Sequence, residues 1–364
     1  MSRRLTGRSV TAPYPTGSAS YSTRARPRMV DPLFIAGLGA VPGPDRLSVS
    51  DAVRAGRYEK DRAEADGYVS VIREPERASY EMGLAAAKDA LAEAGLRGID
   101  LAGLAYTSIH RHGQPRLWAP ASWIQRHLDI GGHVPALSVN QGCNGLLQAM
   151  IALGPLCDPR PDGQLLLVGA DRFEASGFDR WQSDYGLLYG DAAAGVVLSR
   201  QSGFARVLHL ALDGAPDLEE LHRDAAPSDE TPDSWRREYD VRRSKKAFLA
   251  AHGHAGFAEP LNRALDRLKT GLLSSPYWTG PADWLFTPFV GASVRDATYE
   301  ATFGALGHRS GWEIGKTHGH LGTTDGWVGL AEIRAKGLLH SGDRVLIVSA
   351  GVGFSCGVIL LEIL

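Results

Sequence analysis

Ser138-Val139-Asn140-Gln141-Gly142-Cys143-Asn144-Gly145 is the stretch on which the fold turns. A short apolar strand, Ala136 to Val139, runs into a cysteine flanked by glycines. An apolar helix, Asn144 to Leu156, follows at once. The glycines permit a sharp strand-to-helix turn. A cysteine at such a turn sits at a helix N-terminus, where the helix dipole and free N–H groups favour a thiolate and can hold an oxyanion. A buried structural thiol is the common alternative for a free cysteine. Gln164 to Ala170 (QLLLVGA) then reads as a buried strand.

The same alternation extends in both directions. Leu33 to Leu38 and Leu101 to Ser108 read as strands, Ala78 to Gly95 and Ala119 to Leu128 as helices. Tyr80, Leu84, Ala87, Leu91 and Ala94 recur at helical spacing, with Gly95 as the stop. Residues 44–77 predict loops and short helices. Ala194 to Ser199 and Ala205 to Leu212 continue the strand pattern. Residues 213–246 are polar, acids first and then the basic run Arg242, Arg243, Lys245 and Lys246, which predicts an excursion over the surface. Phe248 to Leu273, Gly291 to Phe303 and Gly326 to Gly337 read as helices. Trp284 to Phe289, Arg344 to Ser349 and Val358 to Leu364 read as strands. The expectation is an α/β protein with two halves, 32–212 and 247–364, each a helix-covered sheet. No internal sequence repeat is visible, so a duplicated fold is compatible with the element order without following from it.

Composition limits the function classes. The 364 residues hold 39 basic and 41 acidic side chains, so there is no global basic field for nucleic acid. Residues 1–31 are rich in Ser, Thr, Pro and Gly, with six arginines and no acid before position 31, and read as a flexible arm. A transit peptide shares that composition. No apolar run reaches the ~20 residues of a membrane helix. Cys143, Cys157 and Cys356 lack metal spacing and cannot all pair, which fits a reduced, cytoplasmic setting and no metal site.

Three further segments bear on chemistry. Thr317-His318-Gly319-His320-Leu321-Gly322-Thr323-Thr324-Asp325 precedes an apolar helix. Asp325 stands five residues beyond His320, placed to orient its imidazole as the acid of a nucleophile triad does. The alternative is an aspartate cap at a helix start beside solvated histidines. Val348 to Ser355 (VSAGVGFS) follows a strand and resembles a dinucleotide fingerprint only superficially, but its glycine turn can bring N–H groups to a reacting oxygen. Tyr189-Gly190-Asp191-Ala192-Ala193-Ala194-Gly195 reads as tight backbone packing with no catalytic role.

In this order, from about Pro32 to Leu364, the segments LFIAGLGAVP, AEAGL, GCNG, YGDAAAGVVL and GVGFSCG resemble the thiolase superfamily, and within it the β-ketoacyl-acyl-carrier-protein synthase III type. The resemblance implies a duplicated five-layer αβαβα fold, a homodimer, an acyl-thioester on Cys143 and an oxyanion hole from the N–H groups of Cys143 and Gly353. Two departures stand out. Condensing members carry a histidine where Thr287-Pro288-Phe289-Val290 has Phe289, and an asparagine where Gly319-His320-Leu321-Gly322 has His320. By the resemblance, Phe289 and His318 belong to the substrate pocket. Phenylalanine cannot donate the hydrogen bond that decarboxylative condensation uses, and losing one such donor costs ~10²–10³ in rate. The pattern Gly319-His320-x-Gly322-x-x-Asp325 is similar to a subgroup of synthase-III-like acyltransferases from antibiotic pathways, which form C–O or C–N bonds.

The expected function is therefore acyl transfer in secondary metabolism. The donor is an acyl-carrier-protein or coenzyme A thioester, the carrier is Cys143, His320 with Asp325 is the base, and a hydroxyl or amine is the acceptor. No cofactor beyond the donor thioester is expected. The basic run from Arg242 to Lys246 meets either the acidic carrier protein and coenzyme A phosphates or solvent alone. A carbon–carbon condensing synthase and a non-catalytic partner subunit are the competing readings.

Overall fold

The computed structural model describes residues 32–110, 114, 117–160, 162–173, 178–222 and 241–364. The arm at 1–31 and the middle of the polar stretch at 223–240 lie outside the described residues. Pro32–Leu364 form one compact unit.

Chain order gives β1 (Leu33–Pro42), β2 (Asp45–Ser48), β3 (Ser70–Arg73), β4 (Leu101–Thr107), β5 (Ala136–Val139), β6 (Gln164–Asp171) and β7 (Ala192–Ser199). Then follow β8 (Ala205–Gly214), β9 (Ala282–Phe286), β10 (Gly307–Ser310), β11 (Arg344–Gly351) and β12 (Ser355–Ile363). β2 and β3 pair as a small antiparallel ribbon inside the stretch expected to hold only loops and short helices. The other ten strands form one sheet in the order β10-β9-β11-β12-β8-β1-β7-β6-β4-β5.

That order contains a duplication. Counting each half's strands along the chain, β1, β4, β5, β6, β7 lie in the order 3-2-4-5-1, and β8 to β12 lie in the same order. The senses match as well. β4 is parallel to β5 and β6, while β7 is antiparallel to β6 and β1. β9 is parallel to β10 and β11, while β12 is antiparallel to β11 and β8. The halves join where β1 and β8 pair antiparallel over Leu33–Ile35 and Ala205–Val207. The boundary between halves therefore falls between Ser199 and Ala205, not at 212, because β8 opens the second half.

Helices fill three layers. Ser79–Ala94 packs on β1, β6 and β7, and its alanines lie so close that a Cβ on Gly39 would stand 2.1 Å from the Ala86 carbonyl oxygen. Val241–Leu273 covers β8 and β12 on the far side. Between the half-sheets lie Gly145–Leu153, which touches β4–β6 and also β8 and β12, and Asp325–Ala335, which touches β1 and β7 and also β9 and β11. A helix with sheet on two sides must be apolar nearly all round. Leu146, Leu147, Ala149, Met150 and Leu153 in the first, and Trp327, Val328, Leu330 and Ile333 in the second, are buried accordingly.

The described ends of the polar stretch are packed, not solvated. In the turn Pro216–His222, Leu218 and Leu221 point inward at the three-residue repeat of a 3₁₀ helix while the acids face out. Residues 241–246 are the first turns of the long helix, with Val241 and Ser244 buried.

Candidate active site

The two central helices begin at the same end of the sandwich, and their first turns meet. On one side β5 leads into Gly142, whose φ of +53° suits glycine, and a side chain there would meet Val352. Cys143 follows in a single helical turn, Gly142–Asn144, before the helix Gly145–Leu153. The Cys143 carbonyl accepts a hydrogen bond from Ser349 Oγ at 3.0 Å.

On the other side, His320 is fixed at both main-chain and side-chain level. Its N–H donates to the Leu188 carbonyl at 2.7 Å and its carbonyl accepts from Gly190 N–H at 2.9 Å. Its ring is 1% exposed, with Nε2 3.0 Å from Cys143 Sγ and Nδ1 2.7 Å from Asp325 Oδ2. Asp325 is itself saturated. Oδ2 also accepts from Phe289 N–H at 2.8 Å, and Oδ1 accepts from Leu321 N–H at 2.6 Å. The carboxylate opens the helix Asp325–Ala335, where the helix dipole favours negative charge.

Thiol, imidazole and carboxylate thus form one hydrogen-bonded line. Burial works against charge on His320. The Asp325 and Cys143 charges and hydrogen bonds outweigh it and hold the imidazole pKa well above its ordinary value. Cys157 and Cys356 have no such partners, and burial pushes their thiols up to about 11 and about 12. The Sγ–imidazole contact is lined by Leu147, Pro288, Thr323, Trp327, Ile347 and Ser349, which leave a cavity of about 10 Å³, of the order of one water.

Cys143, His320 and Asp325 come together; two other expected pocket residues do not join them. Phe289 is fully buried and acts through its backbone: its N–H holds Asp325, its carbonyl accepts from Tyr68 Oη at 2.7 Å, and its ring lies against Gly315. The cavity wall at that point is Pro288. His318 faces away, into a groove on the other side of the helix Asp325–Ala335, with Nε2 3.1 Å from Glu332 Oε2. A two-residue offset across Gly319, at φ +77°, turns the two histidines in opposite directions. Gly353, at φ +73°, lies in the turn Val352–Phe354, which packs on the elbow; Gln141 Nε2 donates to the Val352 carbonyl at 3.1 Å.

Four residues at the site escaped the sequence reading. Thr323 Oγ1 accepts from Leu146 N–H at 2.9 Å and so ties the start of one central helix to the other turn. Ser349 bonds the elbow. Tyr189 packs its ring against His320, centroids 5.6 Å apart, so the segment read only as tight packing also borders the imidazole. Asp171 is fully buried at the end of β6. Its Oδ1 accepts from the N–H groups of Ile109 and His110, both at 2.8 Å, and a side chain on Gly322 would collide with its Oδ2. Burial pushes the Asp171 carboxyl up to about 7, against the pull of those hydrogen bonds. The one available signal was position: Asp171 ends β6, and Thr323 lies in the turn that opens a central helix.

The basic run is partly turned inward. Lys245 Nζ lies 2.5 Å from Asp184 Oδ1, and the Arg242 guanidinium sits 4.6 Å from the centre of the Tyr185 ring. Among the described residues no group of three His, Cys, Asp or Glu side chains is arranged to hold a metal ion, and no helix is long and apolar enough to cross a membrane.

Residues 137–215 match the profile of 3-oxoacyl-[acyl-carrier-protein] synthase III, and residues 282–363 match that of its C-terminal part. Among solved structures, ChlB3, an acyltransferase, is 29% identical over 92% of this chain and 98% of its own, with a TM-score of 0.84. The chain belongs to the thiolase-like synthase III family. Two more distant structures share the fold of this synthase III family member. OleA from Xanthomonas campestris, solved with lauric acid and lauroyl-CoA, is 17% identical over 91% of this chain and 99% of its own, with a TM-score of 0.70. FabH from Xanthomonas oryzae pv. oryzae is 18% identical over 91% and 99%, with a TM-score of 0.69. No curated protein sequence matches this synthase III-type chain. Its 3-2-4-5-1 duplication around two central helices is the thiolase-like fold.

Proposed function

We propose that this protein is an acyltransferase. It takes an acyl group from an acyl-carrier-protein or coenzyme A thioester onto Cys143 and passes it to a hydroxyl or amine, in a pathway of secondary metabolism. What carries the reading is the unbroken line Cys143 Sγ–His320 Nε2, His320 Nδ1–Asp325 Oδ2 at 3.0 and 2.7 Å. The likeness to ChlB3 supports it.

The charge state of His320 gives the two half-reactions their order. An imidazole held well above its ordinary value favours the protonated form, and it faces Cys143 Sγ at 3.0 Å. In loading, Sγ attacks the thioester carbon, the donor's C–S bond breaks, and Nε2 gives its proton to the departing sulfur. The N–H groups of Cys143 and Gly353 are the expected oxyanion donors. Acylation removes the thiolate charge, one of the causes that raised the imidazole, and leaves His320 neutral. In transfer, Nε2 takes the acceptor's proton as its oxygen or nitrogen attacks the acyl carbon. The bond to Sγ breaks and the ion pair is restored. Asp325 holds one tautomer and offsets the imidazolium charge in both steps.

Phe289 offers no side-chain donor near Cys143, which disfavours decarboxylative condensation. The homodimer and the cytoplasmic location stay proposals that rest on family likeness. Incubation with a panel of acyl thioesters, followed by intact-mass measurement and peptide mapping, tests the reading. The adduct is expected on Cys143 and absent from Cys143→Ala. Loading of another cysteine, no loading at all, or carbon dioxide release from malonyl thioester in step with product would overturn it.

A further inference from the structure

His320 has a third neighbour besides the sulfur and the carboxylate. Two hydrogen bonds fix where Nδ1 and Nε2 point, but they leave the ring's flank open. Tyr189 closes it. Its ring lies at 61° to the imidazole with centroids 5.6 Å apart, and its main chain is the bridge on which His320 hangs. The phenol is in turn anchored: Oη donates to Asp184 Oδ2 at 2.7 Å, and both side chains are buried. The second oxygen of Asp184 meets Lys245 Nζ at 2.5 Å, and Lys245 stands in the second turn of the helix Val241–Leu273. A buried carboxylate between a cation and a phenol holds the phenol in one place: losing the cation leaves the carboxylate's charge unpaired, and losing the phenol leaves Oδ2 without its hydrogen bond.

We infer that Tyr189 is a positioning residue for His320, and that Asp184 and Lys245 set its position from the start of the long outer helix. This rests on the reading of His320 as the partner of Cys143. Nothing in the hydrogen-bonded line itself requires a tyrosine at 189; a bare ring would fill the space. The hydroxyl links the base to a helix whose Arg243 and Lys246 are exposed.

The ionisable groups facing His320 are Cys143 from the elbow, Asp325 on its own loop, Asp171 from β6, and Tyr189. Those facing Asp184 include Lys245, Tyr189, Arg62, whose Nη2 donates to the Asp184 carbonyl at 2.6 Å, and His222, whose imidazole burial and Lys245 together push down to about 4. The contacts through Tyr189 join the two sets.

The test is the pH profile of Cys143 alkylation by iodoacetamide in the full-length protein, with the buried Cys157 and Cys356 as unreactive controls. His320→Ala is expected to slow alkylation at pH 6.5 by about a hundredfold, Tyr189→Leu by about tenfold and Tyr189→Phe by about threefold, as expected when a reacting pair shifts by a fraction of ~1 Å. The inflection should move to higher pH in the same order. Lys245→Met should act like Tyr189→Phe, and the two together should cost less than the product of their separate effects, because they break one chain. If Tyr189→Leu does not fold, Tyr189→Phe and Lys245→Met carry the test alone. Profiles for the Tyr189 and Lys245 variants that superimpose on wild type, while His320→Ala shifts, overturn this inference and spare the reading of the base. Should His320→Ala itself leave the profile unmoved, both fall. A lowered melting temperature with an unmoved profile marks Tyr189 as a packing residue only and likewise overturns the inference.

Discussion

Gly142-Cys143-Asn144-Gly145 and Gly322-Thr323-Thr324-Asp325 occupy equivalent places in the two halves. Each follows the third strand of its half and opens a central helix, though the second is reached through the added helix Trp312–His318. Each begins with a glycine of positive φ, +53° and +64°. With the glycines aligned, Cys143 corresponds to Thr323, Asn140 to His320 and Gly145 to Asp325. On the proposed mechanism one turn supplies the nucleophile and the other the base and its acid. The difference is in what each hydroxyl or thiol is asked to do. Thr323 Oγ1 is used up in accepting from Leu146 N–H, whereas Cys143 Sγ is left to the imidazole. Duplication supplied two helix N-termini aimed at one point, and the chemistry came from making the turns unlike.

Moving the thiol is the harshest test of that asymmetry. Cys143→Ala combined with Thr323→Cys places a thiol at the equivalent position, where the native hydroxyl is held by Leu146 N–H and not by the imidazole. Acyl loading by intact mass should fall to background; any loading of residue 323 would show that position alone suffices. Asp325→Asn comes next. It keeps the shape but loses the charge that holds His320, so single-turnover transfer from pre-acylated enzyme should drop by about 10²–10⁴-fold, with loading less affected. In the wild type, lowering the pH should slow transfer before loading, because transfer needs the neutral imidazole and loading the charged one.

Asp171 sharpens the comparison on the stability side. Its carboxyl is raised from the ordinary carboxylate range to about 7, so the folded state prefers it protonated. The sign follows: stability from this group is present below pH ~4 and is lost as pH rises through 7, by about 4 kcal/mol at most. Asp171→Asn should therefore be near neutral at pH 3.5 and stabilising at pH 8 in denaturant unfolding. Equal effects at both pH values would show that the carboxyl is not held neutral. The smallest effect is expected from Thr323→Val, which removes one acceptor from a buried N–H and should cost about 1–3 kcal/mol with loading retained.

Much of this was readable from residues alone. Strands buried on both faces, such as QLLLVGA in β6, announce themselves as apolar runs, and Cys143, His320 and Asp325 stood out because glycine turns frame them. β10 did not. Gly307-His308-Arg309-Ser310 pairs with β9 on one side only and is mostly exposed, so nothing required an apolar pattern. The ribbon of β2 and β3 was hidden because each strand is only four residues long and β2 is half-buried at most. His318 misled because sequence distance says nothing about direction across a glycine. Phe289 was read by its side chain when its contribution is an N–H. Tyr189, Asp184 and Lys245 could not be linked from sequence, because their connection exists only after the two halves close.

The Cys143–His320 contact spans 177 residues. Domains made on the ribosome tend to form from the N-terminal end, and a chain released only as far as residue 300 already contains every strand of the first half. Its thiol, however, has no imidazole beside it and is an ordinary cysteine. On the proposed mechanism, activation of Cys143 waits until the last quarter of the chain has been made and docked. The cell is thus spared a half-built protein with an activated sulfur, and the rate of Cys143 alkylation during refolding should report on closure of the whole molecule and lag behind recovery of secondary structure.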